Sequence, residues 1–400
     1  MLGPYLRILA KPGALAFSAA GALARLPISM VTISIILLVT SVYGEYGMAG
    51  RVASVYVIAQ AICAPQLAKL IDSYGQSRVM RPALAIAISS LTTLSWLAAV
   101  RVPEYLLWVF AATAGATVGS MGALVRSRWA TLLDSSHDLH VAFSLESSLD
   151  EVVFIIGPML ATFLATLVSP LAGLGVAILA SAVGGFWFLS QRATEPPPTP
   201  TGAKRSRPPI GWGGLGLVAV VHGAMGALFG SAEVATIAFS ADHGRPGMAG
   251  ALLAIWAFGS LIAGLFYGTR RFTSPTWLRF VASTVVLSVC ASLFVVASTM
   301  WTLAAVMLLA GIGVAPTFIA GAALVQELVP QERLTEALTW IVTSTAVGVA
   351  LGTPVAGTVV DASGGAAAYW VTLICGVLTM LVALIASPLL KRAHQPPHLR

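Results

Sequence analysis

The sequence predicts an all-α membrane protein with 12 transmembrane helices in two six-helix halves. Three observations carry that prediction. Of the 400 residues, 58% are hydrophobic and only 9% charged, where a soluble domain carries roughly 25% charged residues. Twelve apolar runs approach or exceed the ~20 residues that a bilayer-crossing helix needs. The tetrapeptide GMAG stands at Gly47–Gly50 and again at Gly247–Gly250, at the start of the second run of each half.

In chain order the runs cover about 19–42, 49–70, 82–100, 105–125, 143–168, 171–190, 212–238, 248–268, 277–298, 301–324, 336–360 and 367–388. Residues 13–24 are expected to form an interfacial lead-in to the first. Arg7 and Lys11 ahead of an apolar stretch mimic a secretory signal, but the stretch continues to Val42, longer than such a signal's apolar region. The longest polar break is QRATEPPPTPTGAKRSRPP (Gln191–Pro209). Its prolines oppose a helix and its charges oppose burial, so it reads as a solvated linker. The expected organisation is an N-terminal bundle over 1–190, a linker over 191–210, a C-terminal bundle over 211–390 and a tail over 391–400.

The net charge is +7. No basic run is interleaved with aromatics, and membrane proteins collect Lys and Arg in cytoplasmic loops, so no nucleic-acid partner is expected. With the N-terminus inside, only Arg51, Arg101 and Arg245 of the 22 Lys and Arg fall on the outer side. Both termini are therefore expected to be cytoplasmic, in the inner (plasma) membrane. Cys63, Cys290 and Cys375 sit in apolar runs at no metal-ligand spacing and read as small core residues.

The repeat extends beyond the tetrapeptides. Aligning them matches Tyr56 with Trp256, Ala59 with Gly259, Ile62 with Ile262 and Ala64 with Gly264. ALV recurs at the ends of the fourth and tenth runs (Ala123–Val125 and Ala323–Val325), and Gly157–Pro158 of the fifth parallels Gly352–Pro354 of the eleventh. A parallel repeat of six helices is one architecture of secondary transporters.

The loop after the second run reads PQLAKLIDSYGQSRVM (Pro65–Met80). It resembles the loop motif of the major facilitator superfamily, Gly-x-Leu-Ala-Asp-Arg-x-Gly-Arg-Lys. Leu70, Asp72, Gly75 and Arg78 match; Ala68 stands for the usual Gly, and Ser73, Gln76 and Ser77 stand for basic residues. A small residue allows close helix approach, Gly75 allows a turn at positive φ, and Arg78 meets the anionic leaflet. Together with the spans, repeat and linker, the resemblance covers the whole chain and implies the MFS fold of a bacterial, exporter-like secondary transporter. It also implies a gating role for Asp72, whose counterparts latch the cytoplasmic side; the eleventh helix would supply the partner here. In the fifth run, GPMLAT (Gly157–Thr162) resembles in part the Gly-Pro motif of exporters and antiporters, with Val153 where a Gly is usual. In the fourth run, aligning Gly115 places Ala111 where family exporters carry an Arg, so a proton relay through that Arg cannot operate.

Ionisable residues at membrane depth are costly and usually functional. Glu146, Asp150 and Glu151 open the fifth run; Glu146 and Asp150 share a helix face, and Glu151 is rotated by ~100°. Arg25, in the inner third of the first run, is expected to pair with Asp150 or Glu151. In the seventh run His222, Gly226, Phe229 and Glu233 fall on one stripe. Glu233 is expected to take up a proton or recognise a cation, with His222 beside it. DSSHDLH (Asp134–His140) offers two His and two Asp, but at no strong ligand spacing, and a short amphipathic helix is expected there instead.

These features select among function classes. No catalytic constellation stands at membrane depth, so neither an enzyme nor a cofactor or metal is expected. No phosphate-binding Gly-rich Lys loop is present, so an ion gradient, of protons or another coupling ion, is the expected drive. The family implies a cavity lined by runs 1, 4, 7 and 10, with Gly115, Gly119 and Gly122 thinning one wall and Pro316 breaking another helix. Apolar walls favour an amphipathic or hydrophobic organic substrate, and the Gly-Pro motif favours drug or metabolite efflux. An importer on the same fold and a non-transporting membrane sensor are the alternatives. A monomer in the lipid bilayer is expected.

Overall fold

The computed structural model describes residues 3–198, 212–269, 272–329 and 334–394. The later linker, 199–210, and the end of the tail, 395–400, fall outside these residues. The described residues form α-helices joined by short connections, and twelve helical stretches have the length and apolarity to cross a membrane. The fold class is therefore the all-α, twelve-span one that composition dictates.

A short helix α1 (Gly3–Leu9) precedes the first span, α2 (Ala14–Tyr43). Next come α3 (Tyr46–Tyr74) and α4 (Gln76–Ala99), then a fourth span broken into α5 (Glu104–Val118) and α6 (Met121–Leu132). The half closes with α7 (Ser136–Leu167) and α8 (Ala172–Ser190). The second half begins with α9 (Trp212–Asp242), α10 (Ala249–Thr269) and α11 (Thr276–Ser292). A broken tenth span, α12 (Met300–Gly311) and α13 (Val314–Leu328), precedes α14 (Leu334–Ser363) and α15 (Gly365–His394).

Three local expectations are corrected. The lead-in to the first span is Gly3–Leu9, not 13–24; a turn at Gly13, with φ +77°, separates α1 from a continuous α2. DSSHDLH forms no separate helix. Ser135 caps α7 by accepting from the Asp138 N–H, so Ser136 onward is the first turn of the fifth span. The tenth span breaks at Ile312–Gly313 rather than at Pro316, which lies in the first turn of α13, where a missing N–H breaks no helical bond.

The chain divides into two compact units, Met1–Gly44 with Val55–Ala203, and Glu45–Ser54 with Lys204–Arg400. In the first, α2 packs on α7 and α8, and α4 packs on α5 and α8. Phe17, Trp129, Phe188 and Met80 are central to its core. In the second, α9 packs on α14 and α15, α11 packs on α13 and α15, and α10 packs on α12. Phe280, Leu324 and Leu390 belong to its core. The two interiors thus repeat one packing scheme.

Two glycines make the repeat concrete. A Cβ on Gly115 would lie 2.1 Å from the carbonyl oxygen of Tyr56, and a Cβ on Gly311 would lie 2.3 Å from that of Trp256. Tyr56 and Trp256 are the residues paired by aligning the GMAG copies. Each half therefore seats its fourth span on its second at the same place, with no room for a side chain.

Candidate functional site

The intramembrane charges of the first unit form one network. Arg25 lies on α2 and is fully buried; its side chain is ion-paired with the equally buried Glu146 of α7. Its other terminal nitrogen donates to Asp150 Oδ1 at 2.8 Å, and its Nε donates to the Gly21 carbonyl at 3.1 Å. Glu146 Oε1 also accepts from Ser18 Oγ and Trp129 Nε1, both at 2.7 Å. Asp150 Oδ2 accepts from Arg126 at 2.8 Å. Glu151 has no such partner among the described residues. The second carboxylate on Arg25 is therefore Glu146, one helical turn before Asp150 on the same face, and not Glu151.

Asp72 is exposed in the last turn of α3 and has no hydrogen bond or ion pair among the described residues. A carboxylate there faces the negative end of the helix dipole, so it contributes nothing to its own helix. Residues 330–333, ahead of α14, lie outside the described residues. Gly75 separates α3 from α4 at φ +92°, ψ 153°, a region that only glycine enters freely. Arg78 is exposed on the first turn of α4.

The start of α4 is capped from a distance. Glu195 accepts from the Ser77 backbone N–H at 2.7 Å and from the Ser77 hydroxyl at 2.5 Å. The linker therefore does not begin as a solvated coil. Arg192–Thr194 is a 3₁₀ turn folded against the first unit. Arg128, fully buried and 3.8 Å above the Phe188 ring, grips that turn by donating to Gln191 O at 2.8 Å and Thr194 Oγ1 at 2.9 Å. Its Nε donates to Gln76 Oε1 at 2.9 Å.

Gly157 and Pro158 lie inside α7. A Cβ on Gly157 would stand 1.9 Å from Ser29 Oγ, and that hydroxyl donates to Val153 O at 2.9 Å. The Gly-Pro pair is thus a close contact between α2 and α7.

In the second unit, His222 is buried and stacks on Phe280, with centroids 5.6 Å apart. Its Nδ1 bonds Val218 O at 2.9 Å, while Nε2 has no partner among the described residues. The aromatic contacts continue from His222 to Phe318 (5.6 Å), to Phe229 (6.3 Å) and to Trp256 (5.4 Å). These spacings suit offset or edge-to-face ring pairs. The Trp256 indole N–H is buried without a partner among the described residues. Glu233 lies one turn beyond Phe229 and has no hydrogen bond or ion pair among the described residues. His222 and Glu233 are three turns apart, about 16 Å along α9, so His222 is not beside Glu233. No group of three or more His, Cys, Asp or Glu among the described residues could hold a metal ion. The His137 and His140 side chains lie outside the described residues.

The sequence model of the Major Facilitator Superfamily matches residues 17–240 and 215–400. The chain belongs to this superfamily. Solved structures agree in fold. A POT family transporter in complex with 5-aminolevulinic acid superposes with a TM-score of 0.73 at 10% identity, over 96% of this chain and 97% of that one. The nucleoside transporter NupG gives 0.69 at 14% identity, over 95% and 99%. The human organic anion transporter MFSD10 (TETRAN) gives 0.64 at 14% identity, over 93% and 100%. No curated protein sequence matches.

Several of these contacts have no distinct signal in the sequence. Arg126 and Arg128 resembled the ordinary basic residues at the inner end of a span. Gln76 and Ser77 depart from the loop motif, yet Gln76 accepts from Arg128 and Ser77 donates to Glu195. Ser18 and Trp129 carry no charge and gave no signal. Glu195, the only acid in the linker stretch, could have been noticed on that ground.

Proposed function

We propose that this protein is a secondary active transporter working by alternating access, and that it uses an ion gradient to export a small amphipathic or hydrophobic organic compound. The observation that carries the reading is the Glu233 carboxyl, without a hydrogen bond or ion pair among the described residues, one turn from the Phe229–Phe318–Trp256 aromatic cluster. A carboxyl beside aromatic faces suits an apolar molecule bearing a basic group. Glu233 serves as the protonation or cation-recognition group; His222 acts separately, at its own depth. Asp72, Gly75 and Arg78 form the gating loop, and the Arg25–Glu146–Asp150 network braces the first half. The Gly157–Pro158 contact supports the export direction through its resemblance to the exporter motif.

Import of a small organic solute is the second reading. It is favoured by Ala111, which stands where family exporters carry an Arg. The test is accumulation of a fluorescent lipophilic amine in inverted and right-side-out vesicles under an imposed pH gradient. Export predicts accumulation in inverted vesicles, with a pH dependence that Glu233→Gln flattens. Accumulation only in right-side-out vesicles would overturn the direction. An unaltered pH profile in Glu233→Gln would remove Glu233 from the coupling.

A further inference from the structure

The docked start of the linker forms one wall of an open cleft of about 470 Å³ against the beginning of α4, lined by Ser77, Arg78, Arg81, Pro82, Arg192 and Glu195. Three guanidinium groups and one carboxylate face one small space. The carboxylate is committed, because Glu195 caps Ser77 through both oxygens. Arg81 is anchored by donating to Leu189 O at 2.8 Å. Arg78 and Arg192 have no hydrogen bond or ion pair among the described residues. Like charges gathered without partners repel, so chance packing does not favour this cluster.

The cluster is also built. Arg192 belongs to the turn that the buried Arg128 holds by Gln191 O and Thr194 Oγ1. Arg128 thus places Arg192 opposite Arg78 and Arg81, which are fixed to the first turns of α4. The volume is within the usual range of ligand pockets, about 300–1,000 Å³. Guanidinium forks match phosphate oxygens, which accept two parallel bonds from each. The cavity lies where the third span begins and the sixth ends. The ends of bilayer-crossing spans stand at the polar interface, where lipid headgroups lie.

We propose that this cavity is a phosphate-binding site in which Arg78, Arg81 and Arg192 hold the anion, the phosphate being that of an anionic lipid headgroup or of a soluble phosphate compound. Glu195 holds α4 and the linker turn in register and leaves the three guanidiniums to the ligand. Occupancy ties the start of the linker to the first half of the transporter.

The test uses the full-length protein in detergent, with native mass spectrometry and thermal unfolding. The probes are phosphatidylglycerol, inorganic pyrophosphate and, as a phosphate-free control, diacylglycerol. Saturable binding of one phosphatidylglycerol, but not of diacylglycerol, is expected. A basic side chain near an anionic headgroup is worth about fivefold in affinity, so R78Q/R192Q should bind on the order of twentyfold more weakly. Among the described residues neither side chain makes a hydrogen bond or ion pair, so the unliganded midpoint should be unchanged. If that midpoint falls, R192Q alone gives the reading, with about a fivefold loss expected. Binding of pyrophosphate alone, with the same dependence on the arginines, identifies a soluble phosphate as the source. Binding by neither probe would overturn the proposal. So would unchanged affinity in the variants, or an equal loss in K69Q, which removes an exposed charge outside the cavity.

Discussion

A carboxylate sealed from water survives only where its oxygens are filled by donors. Glu146 is sealed in this way by Ser18, Arg25 and Trp129. Removing one side of a buried pair leaves the other charge uncompensated, at a cost of about 3–5 kcal/mol. Glu146→Ala is therefore expected to lower the stability of the detergent-solubilised protein by that order, read from its chemical-denaturation midpoint. Glu151→Ala is expected to change it by no more than about 0.5 kcal/mol. Equal effects would show that the network does not brace the first half. Part of this was legible in the sequence. An Arg at membrane depth calls for an acid, and the spacing of Glu146 and Asp150 places both on one helix face. The choice of Glu146 over Glu151 depends on the Trp129 and Ser18 donors, which come from two other helices and leave no mark in local spacing. His222 shows the opposite case. The shared stripe on α9 was legible, and so was the separation: 11 residues are three turns, about 16 Å along one helix, so the expectation that His222 stands beside Glu233 took the shared face for proximity.

Between elements, the tightest seam in the second unit is that of α9 with α14. A Cβ on Gly226 would lie 2.0 Å from Thr345 O, and one on Gly348 would lie 1.8 Å from Gly223 O. Gly226 and Gly230 on α9, and Gly348 and Gly352 on α14, have the small-xxx-small spacing that lets helix backbones touch in lipid. Gly348→Val must push the helices apart, with an expected loss of about 1–3 kcal/mol. Gly216→Val, also on α9 but with open space around its Cβ position, is expected to leave the unfolding midpoint unchanged. A similar loss in both would assign the effect to helix propensity rather than to the seam. Twelve elements were legible because apolar run length measures the bilayer. The break within the fourth span was not, since Gly119 sits inside a run as apolar as any other; a break in the tenth was expected at Pro316 and falls three residues earlier, at Gly313. The folded start of the linker was hidden because its partner, Arg128, is far away in sequence.

On the scale of the whole molecule, the boundary between the units does not follow the chain. Residues Glu45–Ser54 belong by sequence to the first half but pack with the second unit. The reason is the first GMAG copy. Asp361 on α14 accepts from the backbone N–H groups of Tyr46 at 2.7 Å and Gly47 at 2.6 Å, capping the positive end of α3. The seat admits only small residues, since a Cβ on Gly50 would lie 2.9 Å from Pro354 Cα, and one on Gly357 would lie 2.5 Å from Tyr46 O. The tip of α3 is therefore held in the second unit by contacts that do not involve the linker. If a protease site between Ala203 and Lys204 is cut in the purified protein, the two fragments are expected to stay together. Charge-assisted hydrogen bonds are worth about 1.5–3 kcal/mol each, so Asp361→Ala should release the C-terminal fragment at lower denaturant concentration. Glu327 accepts from Thr276 Oγ1 at 2.7 Å, between α13 and α11 of the second unit, so Glu327→Ala should leave fragment retention as in the parent. Separation of the cut parent protein without denaturant would show that the linker, and not the α3 tip, is what joins the halves.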